Sequence, residues 1–352
     1  MSAPLVVQPK PYLVALEGGR TYFWCACGRS KKQPFCDGSH AGTGIEPRRF
    51  VAARTEEVLL CGCKHTREPP FCDGAHNGLP GGCPLDDPDS PANRAIAWVT
   101  ESDGPRRWLD GGCHVICTDL AVHERRGGLR HCRIVGPESG AVHQAQFLLE
   151  AEGERTPPVS VGSSDAVLFV TSGSGEAVIC GRSFPVKATD GVYLRAGEVL
   201  QLAPRSGETL KVFLLASPPA ELEWPARVPD NFDDHHPQRV VAVDAAQRTA
   251  MGPRYFQLLV DKRIGSQVVT QFIGHIPQSK AAPHRHLYEE TLIVLAGRGC
   301  MWTETRRTPV GPGEVIFLPR KQLHSLQATE ADGLFVVGVI CPGDNPSINY
   351  YD

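Results

Sequence analysis

No apolar run in this 352-residue chain approaches the ~20 residues that a membrane-crossing helix requires, so a membrane span is not expected. The opening Met1-Ser2-Ala3-Pro4-Leu5 lacks the basic and apolar segments of an export signal, which leads to the expectation of a cytoplasmic protein. An excess of one charge is also missing: 36 lysines and arginines stand against 39 acidic residues, for a formal net charge of −3. No basic block rises above local pairs such as Arg306-Arg307, and no DNA-binding module is recognisable, so nucleic acid is not an expected partner. No cluster of arginine or lysine declares the charge of a substrate. Helical periods are scarce beyond residue 93, which turns the fold class toward β. What the chain has is apolar mass, 41% hydrophobic against 21% charged, at a length that suggests two or three domains with sizeable cores.

Cysteine is the exception to this plainness. There are thirteen, and six fall into two identical patterns. The first is Cys25-Ala26-Cys27 followed by Cys36-Asp37-Gly38-Ser39-His40, and the second is Cys61-Gly62-Cys63 followed by Cys72-Asp73-Gly74-Ala75-His76. Both read C-x-C, eight residues, C-x3-H, with Pro-Phe before the third cysteine. A repeated four-donor spacing points to metal ligation in a reducing compartment rather than to disulfides. Three thiolates and an imidazole could close around zinc, although structural zinc sites more often space their cysteines two to four apart. The tight C-x-C pair suits one iron of a [2Fe–2S] unit, with the third cysteine and the histidine on the other. Both loops resemble the CDGSH motif of the NEET iron–sulfur family, the second departing from it only by Ala75 in place of serine. The resemblance covers about residues 10 to 80, and two motifs in one chain resemble the class that forms a pseudo-dimer within a monomer. It implies two [2Fe–2S] clusters, one on Cys25, Cys27, Cys36 and His40 and one on Cys61, Cys63, Cys72 and His76. One-electron redox or cluster transfer would follow, and a histidine ligand can couple reduction to proton uptake.

Residues 77 to 93 are rich in Gly, Pro and Asp and read as an irregular linker. Short apolar strands with Gly and Pro between them then continue to the C-terminus, as in a barrel or sandwich. A weak internal repeat runs through them. Ala166-Val167-Leu168-Phe169-Val170 matches Glu290-Thr291-Leu292-Ile293-Val294, at an offset near 124, and Arg195-Ala196-Gly197-Glu198-Val199 matches Gly311-Pro312-Gly313-Glu314-Val315 at a shorter one. Cys113-His114-Val115-Ile116-Cys117 is a tempting further site with Cys83, but on a strand its two cysteines lie about 13 Å apart, so they read as core.

In the second copy, His284 and His286 are two residues apart, so on an extended chain they share a face. Glu290 opens the next apolar strand and His324 follows a strand and the turn at Pro319. These residues resemble the two cupin motifs: His-x-His, three residues, Glu, six residues, Gly, then Gly, Pro and His. Glu289, next to the matching acid, is expected to face outward. On that alignment the first copy carries Ser160, Gly162, Ala166 and Glu208 at the ligand positions and has lost its metal. The expected fold is mainly β: a small double CDGSH domain over residues 1–80, a linker over 81–104, and a bicupin of two β-barrel or jelly-roll domains, a metal-free one over 105–222 and a metal-binding one over 223–352.

Three imidazoles and a carboxylate leave a divalent ion with open positions, and Fe(II) is the first expectation, with Mn, Ni, Cu and Zn open. Joining two one-electron clusters to such a site suggests an iron-dependent oxygenase or dioxygenase. It would act on a small molecule and O2, with His284, His286, Glu290 and His324 as ligands and the clusters as reductants. An electron-donating reductase and self-association are open as further partners. The alternatives are a redox or iron sensor with a ligand-binding cupin, and a metal-dependent isomerase or decarboxylase. Gln271, Phe272, Trp302 and Phe317 flank the ligands as candidate substrate walls, with ordinary core as the competing reading.

Overall fold

The computed structural model describes residues 3–351; Met1 and Ser2, on which the export-signal reading partly rests, and Asp352 lie outside them. The chain is mainly β. At the N-terminal end, strand Tyr12–Leu16 pairs with Glu56–Leu60 and Thr21–Trp24 with Arg48–Val51, all antiparallel. The two CDGSH loops hang from the ends of these pairs, and Trp24, Leu60, Cys61 and Cys63 form a small buried core between them.

Four further sheets form the rest. A seven-stranded sheet centred on Asp165–Ser172 and Thr209–Ser217 covers the three-stranded sheet of Arg182–Lys187, Ser174–Ile179 and Leu200–Pro204, with one apolar cluster drawn from both. An eight-stranded sheet centred on Leu334–Cys341 and Glu289–Ala296 likewise shares its cluster with a six-stranded sheet that includes Ser279–Ala281, Ser325–Ala328 and Gly299–Trp302. Each sheet has two ends in its strand order, so of the barrel and jelly-roll forms expected, the two-sheet one is found among the described residues. Alternation along the strands explains the layers. On Glu314–Leu318, Ile316 and Leu318 enter the core of their own sandwich, while Val315 and Phe317 pack across onto Ile134, Leu148 and Phe169 of the other.

The halves also exchange strands. His114–Cys117 precedes the first sandwich yet pairs with Glu314–Leu318 of the second, and Val240–Val241 precedes the second yet pairs with Gly191–Leu194 of the first. Residues 81–104, expected as an irregular linker, supply Leu85–Asp86 and Ala97–Trp98 to the six-stranded sheet. There Lys280 Nζ, almost wholly buried, meets Asp86 Oδ2 at 2.5 Å. Cys113 and Val115 lie in the second core and do not form a site with Cys83.

One buried ion pair holds the exchanged strand Val240–Val241. Arg239 Nη2 lies 2.6 Å from Glu198 Oε1, with both side chains sealed from solvent. Removing one partner strands the other charge. Arg239→Leu is therefore expected to destabilise the fold by about 3–5 kcal/mol in denaturant unfolding.

Strand pairing fixes the internal repeat better than the sequence does. Ala166 pairs with Leu194 as Glu290 pairs with Leu318, which keeps the offset at 124 along these strands, and it becomes 125 at Val159, where the bridge Val159–Leu200 stands for His284–His324. The turn that matches Gly311–Glu314 is therefore 187–190, not 195–198. Lys187 N donates to Asp190 Oδ2 at 2.9 Å just as Gly311 N donates to Glu314 Oε2 at 2.8 Å. Gly313 sits at φ 84° and its counterpart Thr189 at φ 76°, a left-handed position where a non-glycine residue disguised the match.

Candidate metal centre

The backbone brings the three histidines together before any ion is considered. His284 and His324 form an isolated antiparallel bridge, each N–H donating to the other's carbonyl at 3.0 Å. His286, two residues on, turns its ring to the same side. Ring centroids lie 4.5 Å apart for His284 and His324, 4.7 Å for His286 and His324, and 5.1 Å for His284 and His286. One nitrogen from each falls within 4.8 Å of the others, and all three are buried. His284 Nδ1 donates to Ala282 O at 2.8 Å and His324 Nδ1 to Gln322 O at 2.9 Å, which leaves each Nε2 free as a donor to a metal. Glu290 Oε2 is 3.4 Å from His286 Nδ1, beside the triad rather than inside it. Three neutral imidazoles with an adjacent carboxylate fit a divalent cation. Glu289 does not face outward: it is buried and accepts from Val142 N and His143 N of the other half at 2.7 and 2.9 Å.

The surroundings are dry. Burial draws His284 and His286 well below the usual histidine range and His324 down to about 4, while it pushes Glu290 up to about 8. Without a cation the site thus holds neutral imidazoles and, near pH 7, a protonated carboxyl. A cation must displace that proton, whereas the imidazoles are already unprotonated. Mn(II) affinity is expected to rise by up to about tenfold per unit from pH 6 to pH 8 and then level off, with Glu290→Gln flattening the slope, as measured by metal titration.

The triad opens on a cavity of about 90 Å³, lined by Phe272, Leu292 and Val336 among other apolar residues. Two residues that the motifs did not point to complete it. Asn349, from the C-terminal segment, accepts through Oδ1 from His286 Nε2 at 3.0 Å. Arg254, from strand Arg254–Val260, lines the cavity with a guanidinium whose Nη2 is buried and has no hydrogen-bond partner among the described residues. Burial lowers its pKa, with only Cys83 and Tyr351 opposing. The one sequence signal for Arg254 was its place at the head of an apolar strand.

Of the four candidate wall residues, only Phe272 faces the cavity. Gln271 is on the opposite face of the same strand and donates to Leu168 O at 3.2 Å across the junction of the halves. Phe317 packs into that junction, and Trp302 lies in an outer groove under Lys280 and Arg307. The reason in each case is strand alternation. His275 is held at the cavity mouth, stacked with Tyr255 and bonded to Asp332 O, while His236 pairs with Asp233 on the surface of the other half.

The first sandwich corrects the expected alignment. Val159 and Leu200 form its bridge in place of His284 and His324. With Val161 and Ala166, they put four apolar residues of its core at the ligand positions. Ser160 instead bonds outward to Glu223, and Glu208 caps the turn at Ser174.

Both CDGSH loops repeat one geometry. The third cysteine's N–H donates into the preceding strand, Cys36 to Phe23 O and Cys72 to Leu59 O, and each motif aspartate accepts two backbone N–H groups of its loop. Cys25 Sγ and Cys27 Sγ are 3.8 Å apart, and Cys61 Sγ and Cys63 Sγ 3.5 Å. Cys36 Sγ lies 3.2 Å from His40 Nδ1, and Cys72 Sγ 3.4 Å from His76 Nδ1. Each loop thus brings its donors together as one Cys–Cys and one Cys–His pair. The sites differ in setting, since His76 is 1% exposed and burial pulls it down to about 4.

A family model described as "Iron-binding zinc finger CDGSH type" matches residues 3–41, and one described as "Cupin domain" matches residues 274–340. CDGSH iron-sulfur domain-containing protein 3, mitochondrial, from mouse and human, is 55% identical over 54 and 56 residues, 15% of this chain. The matches cover 39% and 44% of those proteins, so the chain spans about two fifths of the length of the curated relatives it matches. Both are mitochondrial, which overturns the cytoplasmic expectation. Among solved structures, protein Ylba from E. coli has a TM-score of 0.52 at 16% identity, covering 68% of this chain and 95% of that one. The oxalate decarboxylase of Lactobacillus farciminis, in a formate complex, has 0.53 at 13% identity, covering 65% and 86%. The oxalate decarboxylase of Bacillus subtilis, described with Mn(II) centers, has 0.50 at 12%, covering 68% and 78%. At these identities the likeness is one of fold.

Proposed function

From its N-terminal CDGSH iron–sulfur domain and its C-terminal cupin domain with a histidine-rich metal site, we propose that this chain is a metalloenzyme that decarboxylates a small carboxylic acid. Arg254 carries this reading. Half-buried Arg254, whose Nη2 is sealed from solvent and has no hydrogen-bond partner among the described residues, shares a cavity of about 90 Å³ with three imidazoles. A buried N–H without an acceptor is costly, and a substrate carboxylate meeting the guanidinium in its fork geometry removes that cost. A cavity of about 90 Å³ favours a compact acid.

A divalent ion held by His284, His286, His324 and Glu290, with Mn(II) and Fe(II) both suited to the donors, supplies Lewis acidity to a carboxylate oxygen. The chain's own residues do the rest. Arg254 binds and orients one carboxylate, and Phe272, Leu292 and Val336 exclude water, so that departure of neutral CO2 is favoured over a desolvated anion. The bond between carbon and carboxylate breaks, its electron pair stays on the remaining carbon, and that carbon takes up a proton from solvent admitted once CO2 has left. No outside electrons are needed. The solved neighbours titled oxalate decarboxylases share the fold, and a two-carbon dicarboxylic acid is the first substrate to try. Two [2Fe–2S] clusters on the CDGSH loops are part of the same proposal.

The oxygenase expected from the domain fusion is kept as a second reading. The contact of the second CDGSH loop with the segment beside the metal cavity favours it. One assay separates them. Anaerobically purified protein loaded with Mn(II) or Fe(II) is given two- to four-carbon acids while CO2 and O2 are followed together. CO2 release without O2 uptake is expected; stoichiometric O2 uptake with cluster oxidation would overturn the decarboxylase in favour of the oxygenase.

A further inference from the structure

The two CDGSH loops make the same internal hydrogen bonds but face different surroundings. Around the first, Asp37, Gly38 and Ser39 are exposed, and a Cβ placed on Gly38 would meet nothing within 4 Å. His40 turns its Nε2 to Glu46 at 3.4 Å, on the surface. Around the second, His76 and Asn77 are buried, and a Cβ on Gly74 would lie 2.2 Å from Ser347 Oγ. The neighbour is the C-terminal segment 345–351, which ends beside the cupin histidines.

That segment links the two centres continuously. Asn345 Nδ2 donates to Asp73 O at 2.9 Å, and Asn77 Nδ2 donates to Ser347 O at 2.9 Å. Two residues later, Asn349 accepts from His286 Nε2 at 3.0 Å. Asn77 follows His76 directly in the chain. From one candidate cluster ligand to one candidate cupin ligand, the path therefore runs through His76-Asn77, one hydrogen bond, Ser347-Ile348-Asn349, one hydrogen bond, and His286. Ser347, Ile348 and Asn349 are all buried, at 4–5% exposure. Burying two asparagine side chains is costly unless their bonds are specific; Asn77 Nδ2 and Asn349 Oδ1 make the two bonds of the path, and Asn77 Oδ1 is held by Cys83 Sγ at 3.2 Å.

We propose that this segment is an electron relay, with the second cluster as the inner centre wired to the cupin metal and the first as the outer port. One electron leaves a reduced [2Fe–2S] cluster, which returns to its oxidised state, and converts a trivalent cupin ion to the divalent one. A one-electron donor of low potential, met at the exposed first loop, restores the cluster. No covalent bond forms or breaks. The relay rests on the reading that both centres are loaded, and not on decarboxylation.

The test uses the full-length protein with its clusters in place and oxidised and iron in the cupin in the ferric state. One equivalent of dithionite is added anaerobically, and freeze-quench electron paramagnetic resonance follows the ferric cupin signal. Asn77→Leu and Asn349→Leu, at opposite ends of the path and each reconstituted with excess iron until cupin and cluster iron match wild type, are each expected to slow its loss by about tenfold or more. The double variant is expected to be no slower than the slower single one, because both cut the same path. Cys72→Ser, lacking the inner cluster, is expected to lose the fast phase, and Cys36→Ser to keep it, since dithionite reaches the inner cluster unaided. Fully loaded single variants that match wild type, or a fast phase that survives Cys72→Ser, would overturn the relay. CO2 release bears on the decarboxylase alone, so each proposal can fail without the other.

Discussion

His324→Ala is expected to leave the second sandwich folded and nearly without metal. His324 is one of three convergent imidazoles, and its Nδ1 is tied to Gln322 O, so no flexible neighbour can replace the missing Nε2. Loss of an outer partner of a ligand already costs about 10–100-fold in metal affinity, and loss of the ligand itself is expected to cost at least the upper figure. Turnover of a carboxylic acid is expected to fall by about a thousandfold or more, because the Lewis acid is worth several kcal/mol at the transition state. Alanine leaves the bridge hydrogen bonds to His284 intact, since they are made by the backbone. The melting temperature of the metal-free protein should therefore change little, and the cluster absorbance not at all. Metal analysis alongside calorimetry checks both halves of this expectation.

Arg254→Met should separate function from stability in the opposite sense to an ordinary core substitution. The guanidinium's Nη2 is buried without a partner and burial lowers its pKa, so its removal relieves a cost rather than leaving a gap in a network. The metal-free variant is expected to melt at or above the wild-type temperature. A substrate carboxylate, in contrast, loses a charge-assisted, two-pronged partner, and kcat/KM should fall by about a hundredfold, with metal content unchanged. A lower melting temperature with unaltered kinetics would make Arg254 a structural residue. Such a trade of stability for activity is common where a site holds an uncompensated group for its substrate.

What the sequence made legible was whatever lies within a few residues along the chain. The C-x-C and C-x3-H spacings keep all the donors of each cluster site on one loop, and His284 and His286 share a face because an extended chain alternates. Glu290 and His324 were reachable because one strand and one turn carry them into place. Arg254 and Asn349 were not, because they reach the cavity from strands and segments tens of residues away, and neither sits in a repeating pattern. The wall residues failed for a related reason. Gln271 and Phe272 are neighbours, and only the choice of face, which strand pairing sets, decides that Phe272 alone meets the cavity. The counterpart of His324 was misplaced because Thr189 adopts a left-handed turn without glycine, so Arg195-Ala196-Gly197-Glu198 imitated the wrong turn, and those of His284 and His286 were misplaced by a one-residue shift before Ala166. Strand exchange between the halves has no local signature at all, and it is what makes the segment 81–104 part of a sheet instead of a tether.

The most direct test of a metal and a guanidinium acting on one carboxylate is a spectroscopic titration. Full-length protein, stripped with a chelator and reloaded with one Mn(II), is titrated with a two-carbon dicarboxylate while the Mn(II) resonance is recorded. The expected result is a saturable change of the Mn(II) spectrum in the wild type, weakened by about a hundredfold in Arg254→Met. No Mn(II) bound, or a spectrum that responds identically in both proteins, would contradict it.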